Sequence, residues 1–232
     1  SSPASAGWLT DGEKRIVVID QQAAQERRGS NTMDSTLVLA RDPTVWLLGM
    51  VYFGYFCSLN TLILWSPSLL ALSGVQSISA IGWISGLSGV VSAVGMLAIG
   101  LSSDRLNERR WHVGLCGLVA ASCFLLLPLT ADSIPATAGL LLLAATGLYA
   151  VLGLFWTIPG AYFRASSAAR GFALINMFGV GGGIVSPTLV GWLKVQTDSL
   201  YVGVSVIAIL LALSMLMLLR LPQPNQGSFT EE

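Results

Sequence analysis

The chain has 232 residues, of which 53% are hydrophobic and only 10% are charged, and its formal net charge at pH 7 is zero. Its mean hydropathy is +0.71. A soluble domain needs more charged surface than this, and a nucleic-acid-binding protein needs an excess of Lys and Arg, so both classes are excluded. The composition is typical of a chain whose solvent is largely lipid.

The first 42 residues differ from the rest, because they are polar and mix acidic with basic side chains. We expect at most one short amphipathic helix there, near residues 11–28. The segment has no apolar stretch of the kind found in a signal peptide, and the chain opens on Ser1 rather than Met. These features suggest a fragment of a longer protein, in which residues 1–42 form a cytoplasmic linker between two membrane bundles.

Long windows without charge follow the linker. Residues 43–103 are 61 consecutive residues without Asp, Glu, Lys, Arg or His, and four further windows are each long enough to cross a bilayer once. Since about 20 apolar residues form one span, the first window holds two. We therefore predict an all-α membrane protein with a six-helix bundle over 43–221 and a disordered cytoplasmic tail over 222–232. The predicted spans are 43–70, 79–102, 111–129, 134–163, 167–193 and 200–220.

The distribution of positive charge predicts the orientation. Of the 12 Lys and Arg residues, 11 lie in the N-terminal segment, in the loops 104–112 and 164–170, or at Arg220; the exception is Lys194. Loops rich in Lys and Arg stay on the cytoplasmic side. Both ends of the chain are therefore predicted to be cytoplasmic, which agrees with the even number of spans.

Two predicted spans carry small residues at helical spacing. Glycines and serines repeat four residues apart in the second span, which lets another helix approach closely in lipid. The fifth span has four glycines within 179–183 and a proline at 187, a pattern that is tolerated where the helix is buried in protein or faces a cavity. We interpret both patterns mainly as packing surfaces.

The sequence contains fragments of enzyme motifs, but each lacks a residue or an element that the chemistry requires. Residues 86–89 read Gly-Leu-Ser-Gly, as in intramembrane serine proteases, but the only histidine is His112, in a charged loop where it cannot act as the base. The glycines at 179–183 follow no strand and form no dinucleotide loop. The three cysteines, at 57, 116 and 123, lie within spans at unrelated spacings and are expected to be buried. We predict no enzyme activity, no metal site and no cofactor.

The loop between the second and third spans carries a recognisable motif, formed by Gly100, Ser103, Asp104, Arg105, Arg109 and Arg110. It resembles the signature loop of the major facilitator superfamily. Further residues match the anion:cation symporter family of that superfamily: Trp8-Leu9-Thr10, Trp65-x-Pro67, Phe155-Trp156 with Pro159, and Ala173-Leu174-Ile175-Asn176 followed by Gly179, Gly182, Gly183 and Pro187. Together they resemble the C-terminal half of such a transporter over almost the whole chain.

This resemblance implies one six-helix half built as a 3+3 inverted repeat, in a bacterial inner membrane or a plasma membrane. It implies proton-coupled symport of a small organic anion, such as a sugar acid or an aromatic carboxylate. The implied partners are membrane lipid, the anion, a proton and an N-terminal six-helix half. It also implies substrate contacts at Trp156 and Asn176. Val180 stands where the family usually has Asn; if Val180 faces the cavity, one polar contact of the sugar-acid site is absent, and a more apolar or aromatic carboxylate is favoured.

The spans themselves contain no ionisable side chain near the membrane centre, although proton-coupled transporters commonly use one there. The Arg that binds an anion and the acid that couples it are therefore expected in the other half. This half would supply neutral groups. Helical spacing places Tyr52, Tyr55, Phe56 and Asn60 on one face, and the buried amide of Asn60 needs a partner, for which Asn176 and Trp156 are the candidates. Helix packing alone is the alternative for all of them.

We expect the charged loop to gate transport. Asp104 lies beside Arg105, Arg109 and Arg110, and its carboxylate could meet the positive N-terminal end of a helix from the other half. A solvated loop that only sets orientation is the alternative. For the whole chain, a complete six-helix channel or scaffold protein is the alternative to half of a transporter.

Overall fold

The structure, a computed structural model, describes residue 39 and residues 41–163 and 165–221. The chain divides at Asp42 into two units, and the description concerns the second. Most of the predicted linker, including the helix expected near residues 11–28, and all of the predicted tail lie outside the described residues. The described helices are α1 (Pro43–Leu72), α2 (Ile78–Leu106), α3 (Arg109–Leu126), α4 (Ile134–Phe155), α5 (Thr157–Tyr162), α6 (Ala165–Thr197) and α7 (Leu200–Leu219).

Six of the helical segments are long and apolar enough to cross a membrane, as the charge-free windows predict. The third span continues beyond α3 through a 3-10 turn at Leu127–Thr130. The second and fifth spans extend past their predicted ends, to Leu106 and Thr197. In the described part of the chain there is no strand. The fold is therefore all-α and consists of six membrane-spanning helical segments.

The fourth span is not the single helix that the sequence predicts. It breaks at Trp156, between α4 and α5. Pro159 has no N–H to donate to the carbonyl of Phe155, and the Thr157 hydroxyl instead donates to the carbonyl of Leu154 at 2.7 Å. The predicted fourth span is confirmed over Ile134–Tyr162, and the one-residue interruption at Trp156, which the sequence did not predict, lies where Pro159 removes a bond from the helical ladder.

The packing of the first three spans recurs in the last three. α1 packs along α6 as α2 packs along α4, and α1 contacts α7 as α3 contacts α4. The first triplet corresponds to the second when α1 is exchanged with α4, α2 with α6 and α3 with α7. The α1–α4 contact and the α3–α7 contact are each unchanged by this exchange. Because corresponding spans cross the bundle in opposite directions, these contacts agree with the inverted 3+3 repeat that the sequence resemblance implies.

The core lies where α1, α3, α4 and α7 meet, and Tyr55, Phe124, Leu148 and Met215 are almost completely shielded there. Close packing depends on small residues: a Cβ added at Gly147 of α4 would lie 2.6 Å from a carbonyl oxygen of α3. The spans α2 and α6 are the least buried of the six. They form two flanks of the bundle that its other helices leave largely uncovered.

The glycines of α2 divide between two surfaces. Gly95 packs tightly against Thr146 of α4, whose hydroxyl donates to Ser92 at 3.2 Å. A Cβ added at Gly82, Gly86 or Gly89 would instead meet nothing within 4 Å in the described part of the bundle. The small-residue stripe of α2 thus packs internally at one end and faces open space at the other.

The two ends of the bundle differ in charge. The basic end contains the α2–α3 loop, Tyr162 and the end of α7, where Arg110 donates a hydrogen bond to the carbonyl of Leu221. The opposite end contains the turns at 73–77, 131–133 and 198–199. Ser77 caps α2 there by accepting from the N–H of Ala80 at 3.4 Å.

Candidate functional site

Helices α1 and α6 lie close together because glycines of α6 face α1. A Cβ added at Gly182 would lie 2.6 Å from the carbonyl oxygen of Phe53, so a side chain there would push the helices apart. The Cys57 thiol donates to the Gly182 carbonyl at 3.4 Å, and the hydroxyl oxygens of Thr61 and Ser186 lie 2.7 Å apart. This contact sets α6 beside the face of α1 that carries the predicted site residues.

An aromatic cluster joins α1, α4 and α6 at the break in the fourth span. The Tyr52 ring stacks on Phe155 with centroids 4.8 Å apart and meets Trp156 edge to face at 4.9 Å. Trp156 contacts Phe172 edge to face at 5.6 Å. A side chain at Gly179 would collide with the Tyr52 ring. The cluster therefore places Tyr52 and Trp156 in direct contact, with α6 alongside.

Phe56 and Asn60 extend the aromatic cluster along α1 into one polar and aromatic surface. Both residues are half-buried. They face Gly183, whose added Cβ would lie 3.5 Å from the Phe56 ring and 3.4 Å from Asn60 Nδ2. The Asn60 amide donates to the Phe56 carbonyl at 3.0 Å. The acceptor of Asn60 is thus in its own helix, rather than the expected Asn176 or Trp156, because a backbone carbonyl one turn away lies closer.

Asn176 lies on α6, four residues after Phe172 and three before Gly179, so all three share one face of the helix. Its side chain is exposed. Asn176 therefore lies at the exposed edge of the surface, and α6 forms that edge. Four of the six predicted substrate-contacting residues thus lie together, with Asn176 on the adjoining edge of α6: Tyr52, which is buried, and Phe56, Asn60 and Trp156, which are half-buried.

Tyr55 lies behind this surface, with its ring centroid 5.7 Å from that of Tyr52 and 6.2 Å from that of Phe56. Its side chain is 0% exposed, and its hydroxyl has no hydrogen-bond partner among the described residues. Around α1, Tyr55 is displaced from Tyr52 in the direction opposite to Phe56 and Asn60, so Tyr55 belongs to the packed core, and its contact with substrate stays a prediction.

Two residues of the neighbourhood were not predicted as site residues. Phe172 forms the α6 side of the aromatic cluster, and its signal was the four-residue spacing to Asn176. Tyr149, half-buried on α4, lies seven residues before Trp156, which is about two helical turns. That spacing places both residues on one face, but a single aromatic residue within an apolar span gave no reason to select it.

The charged loop at the basic end is organised by internal contacts. Asp104 Oδ1 and Arg109 Nη2 form an ion pair at 2.7 Å, with side chains that are 57% and 37% exposed. Arg110 reaches the end of α7 through its bond to Leu221, while Arg105 is exposed at the end of α2. Asn107 has a left-handed backbone conformation, with φ of 50°, which ends α2 and turns the chain into α3.

The apparent protease motif lacks a base in the structure as well. His112 lies next to Ser102, with Nε2 3.3 Å from its hydroxyl, and Ser102 is 14 residues beyond Ser88 on α2. That separation is about 21 Å along the helix axis. Cys57 and Cys123 are buried as predicted, while Cys116 is half-buried. Within the described residues, no group of three His, Cys, Asp or Glu side chains is placed to hold a metal ion.

Six apolar spans packed as two related triplets beside an uncharged polar and aromatic surface define an integral multi-pass membrane protein of the transporter type. A sequence profile of the Major Facilitator Superfamily matches residues 8–187 and, in an overlapping match, residues 77–232. The chain belongs to the Major Facilitator Superfamily. The resemblance stated from the α2–α3 loop and the other motifs is thereby confirmed at the level of the superfamily, which is one of transporters and not of enzymes.

The relatives are also named as transporters. The chain is 34% identical over 224 residues to a "Putative tartrate transporter" of Agrobacterium vitis, an alignment that covers 96% of the chain and 49% of that protein. A second protein of that name from the same organism is 32% identical, over 97% of the chain and 52% of its own length. The "Putative metabolite transport protein NicT" of Pseudomonas putida is 28% identical, over 94% and 49%. The chain spans about half the length of these curated relatives.

Proposed function

We propose that the chain forms the C-terminal six-helix half of a secondary active transporter that carries a small organic anion together with protons. The observation that carries the proposal is the polar and aromatic surface shared by α1, α4 and α6. Transporters of this architecture bind their substrate near the bilayer midplane, between two bundles of helices. The relatives named as tartrate transporters support a small organic acid as the substrate.

The chemistry of this surface suits part of a carboxylate site. The Asn176 amide can donate and accept hydrogen bonds, and the Trp156 indole offers one N–H and a broad apolar face. Between residues 43 and 102 and between 171 and 193 the sequence has no Lys, Arg or His. A buried anion needs a compensating charge. We therefore place the cation that binds the anion, and the acid that couples protons, in an N-terminal half.

The exposed flanks of α2 and α6 support a partner bundle. A helix with small residues facing open space can be approached closely by another helix in lipid. On α2 these residues are Gly82, Gly86 and Gly89. We propose that the N-terminal half covers this stripe, that the basic end is cytoplasmic, and that the Asp104–Arg109 loop changes its contacts when the cytoplasmic side opens.

Substrate binding by the complete transporter tests the site. Asn176→Ala and Trp156→Ala should each weaken binding of tartrate, or of the aromatic acid that proves to be transported, by roughly tenfold to a hundredfold. That is the effect of losing a hydrogen bond to a charged group, about 1.5–3 kcal/mol. Met177→Ala and Trp192→Ala, which remove exposed side chains of the same helix, are the matched controls. If both site variants bind as tightly as the controls, these residues only pack.

Uptake into vesicles tests the coupling and separates the transporter from a channel. An imposed inward proton gradient should drive the anion above its equilibrium concentration, and a protonophore should abolish this accumulation. Accumulation of the anion that does not depend on the proton gradient would contradict proton coupling but not anion transport. Equilibration without any accumulation would favour the alternative of a channel.

A further inference from the structure

Lys194 is the one Lys or Arg near the end of the bundle opposite the basic loops. It lies in the last turn of α6, and its ammonium nitrogen is 5.6 Å from the centroid of the Trp65 ring on α1. A cation at this distance from an indole face is attracted by the negative charge of the ring. The contact therefore holds the positive charge on the side of α6 that faces α1.

The position of Lys194 on α6 relates it to the candidate site. Asn176 and Lys194 are 18 residues apart, which is five full turns of an α-helix. The two side chains therefore leave the helix in the same direction, about 27 Å apart along its axis. Gly183, which faces Phe56 and Asn60, lies between them on the same stripe. Lys194 thus stands at the outer end of the stripe that carries Asn176.

The charge of Lys194 is not cancelled by a neighbour. The other Asp, Glu, Lys, Arg or His residues at this end of the bundle are Asp132 and Asp198. Asp198 follows Lys194 by four residues, yet Lys194 forms no ion pair with any described residue. The indole N–H of Trp65 is also buried without an acceptor in the described part of the chain. The exposed Lys194 ammonium is therefore the donor that an incoming anion would meet first.

We propose that Lys194, held over Trp65, is an entry site for carboxylate anions at the mouth opposite the basic loops. The ammonium group would raise the local concentration of the anion before it reaches the surface at Asn176, by electrostatic steering. A carboxylate accepts hydrogen bonds from an ammonium group. The inference rests on the proposed function, because only an anionic substrate would be steered in this way.

Initial rates of tartrate uptake by the complete transporter test the entry site. In right-side-out vesicles at low ionic strength, Lys194→Gln should lower kcat/KM about fivefold, the factor that one unit charge at about 4 Å contributes in water. The loss should shrink in high salt, where exposed charges are screened. Lys194→Arg keeps the charge and the ring contact, and should retain the parent rate. Entry from the opposite side, measured in inside-out vesicles, should be unchanged.

Asp198→Asn is the matched control, because it removes a charge of opposite sign one turn away, and it should leave kcat/KM equal or higher. A parental rate for Lys194→Gln, or an equal loss in Asp198→Asn, would overturn the entry site while anion uptake itself persists. No anion uptake by the parent would overturn the proposed function and the entry site with it. If the Gln variant fails to fold, Lys194→Met, which keeps the aliphatic stem, takes its place and must show the same salt-sensitive loss.

Discussion

The contact between α1 and α6 at Gly182 makes a quantitative prediction about stability. In Gly182→Ala the new Cβ would lie 2.6 Å from the Phe53 carbonyl oxygen and 3.2 Å from the Cys57 sulfur. The oxygen belongs to the backbone of α1 and cannot rotate away, so the two helices must separate by several tenths of an ångström. The hydroxyls of Thr61 and Ser186, 2.7 Å apart one turn further on, would be pulled apart with them.

Gly181→Ala is the matched control. A Cβ at Gly181 would meet the nearest atom of the Phe53 ring at 3.9 Å, an ordinary van der Waals distance. Both variants gain about 1 kcal/mol of helix propensity. Overpacking costs about 1–3 kcal/mol, and the rigid backbone obstacle at Gly182 favours the upper part of that range. We therefore expect the free energies of unfolding of the two variants to differ by about 2–3 kcal/mol.

Thermal unfolding of the complete transporter in detergent, followed by circular dichroism, measures this difference. For a complete transporter of about twice this length, 2–3 kcal/mol corresponds to a difference in Tm of roughly 2–6 °C, with Gly182→Ala lower. Gly181→Ala should melt at or slightly above the parent temperature. If Gly182→Ala melts at the same temperature as Gly181→Ala or above it, the spacing of α1 and α6 does not depend on that glycine.

Two further predictions concern the basic end and its orientation. A cysteine introduced at the exposed position 76 should react with an impermeant maleimide added outside intact cells. A cysteine at position 107 should not react, because loops rich in Lys and Arg stay inside. Strong labelling at position 107 would reverse the proposed orientation. Asp104→Asn breaks an exposed ion pair and should change stability by less than about 1 kcal/mol, yet it should lower the transport rate while membrane insertion and substrate binding persist. Unchanged transport kinetics would leave Asp104 with a role in orientation alone.

Helical spacing correctly predicted which side most of the α1 site residues share. Where a predicted position differs from the structure, the cause is local. The four-residue steps from Tyr52 to Phe56 to Asn60 predicted a shared face, and the structure has them on one surface. Tyr55, assigned to the same face, is rotated into the core, because it lies about 60° to one side of Tyr52 while Phe56 and Asn60 lie about 40° and 80° to the other side. The break at Trp156 was not predicted, although Pro159 was noted, because whether a proline bends or interrupts a helix depends on what replaces the missing hydrogen bond.

The sequence by itself determined the number of spans, the charge difference between the two ends and the membership of a transporter superfamily. The first two depend on the cost of burying charge in lipid and on the rise of a helix, which are the same for any bundle, and the membership depends on the motif residues. Only the tertiary structure decided that α6 lies against α1, that Trp156 meets Tyr52 and Phe172, and that Lys194 rests over Trp65. These contacts join residues far apart in the chain, and close approach at Gly179 and Gly182, not any local preference, sets which side chains meet.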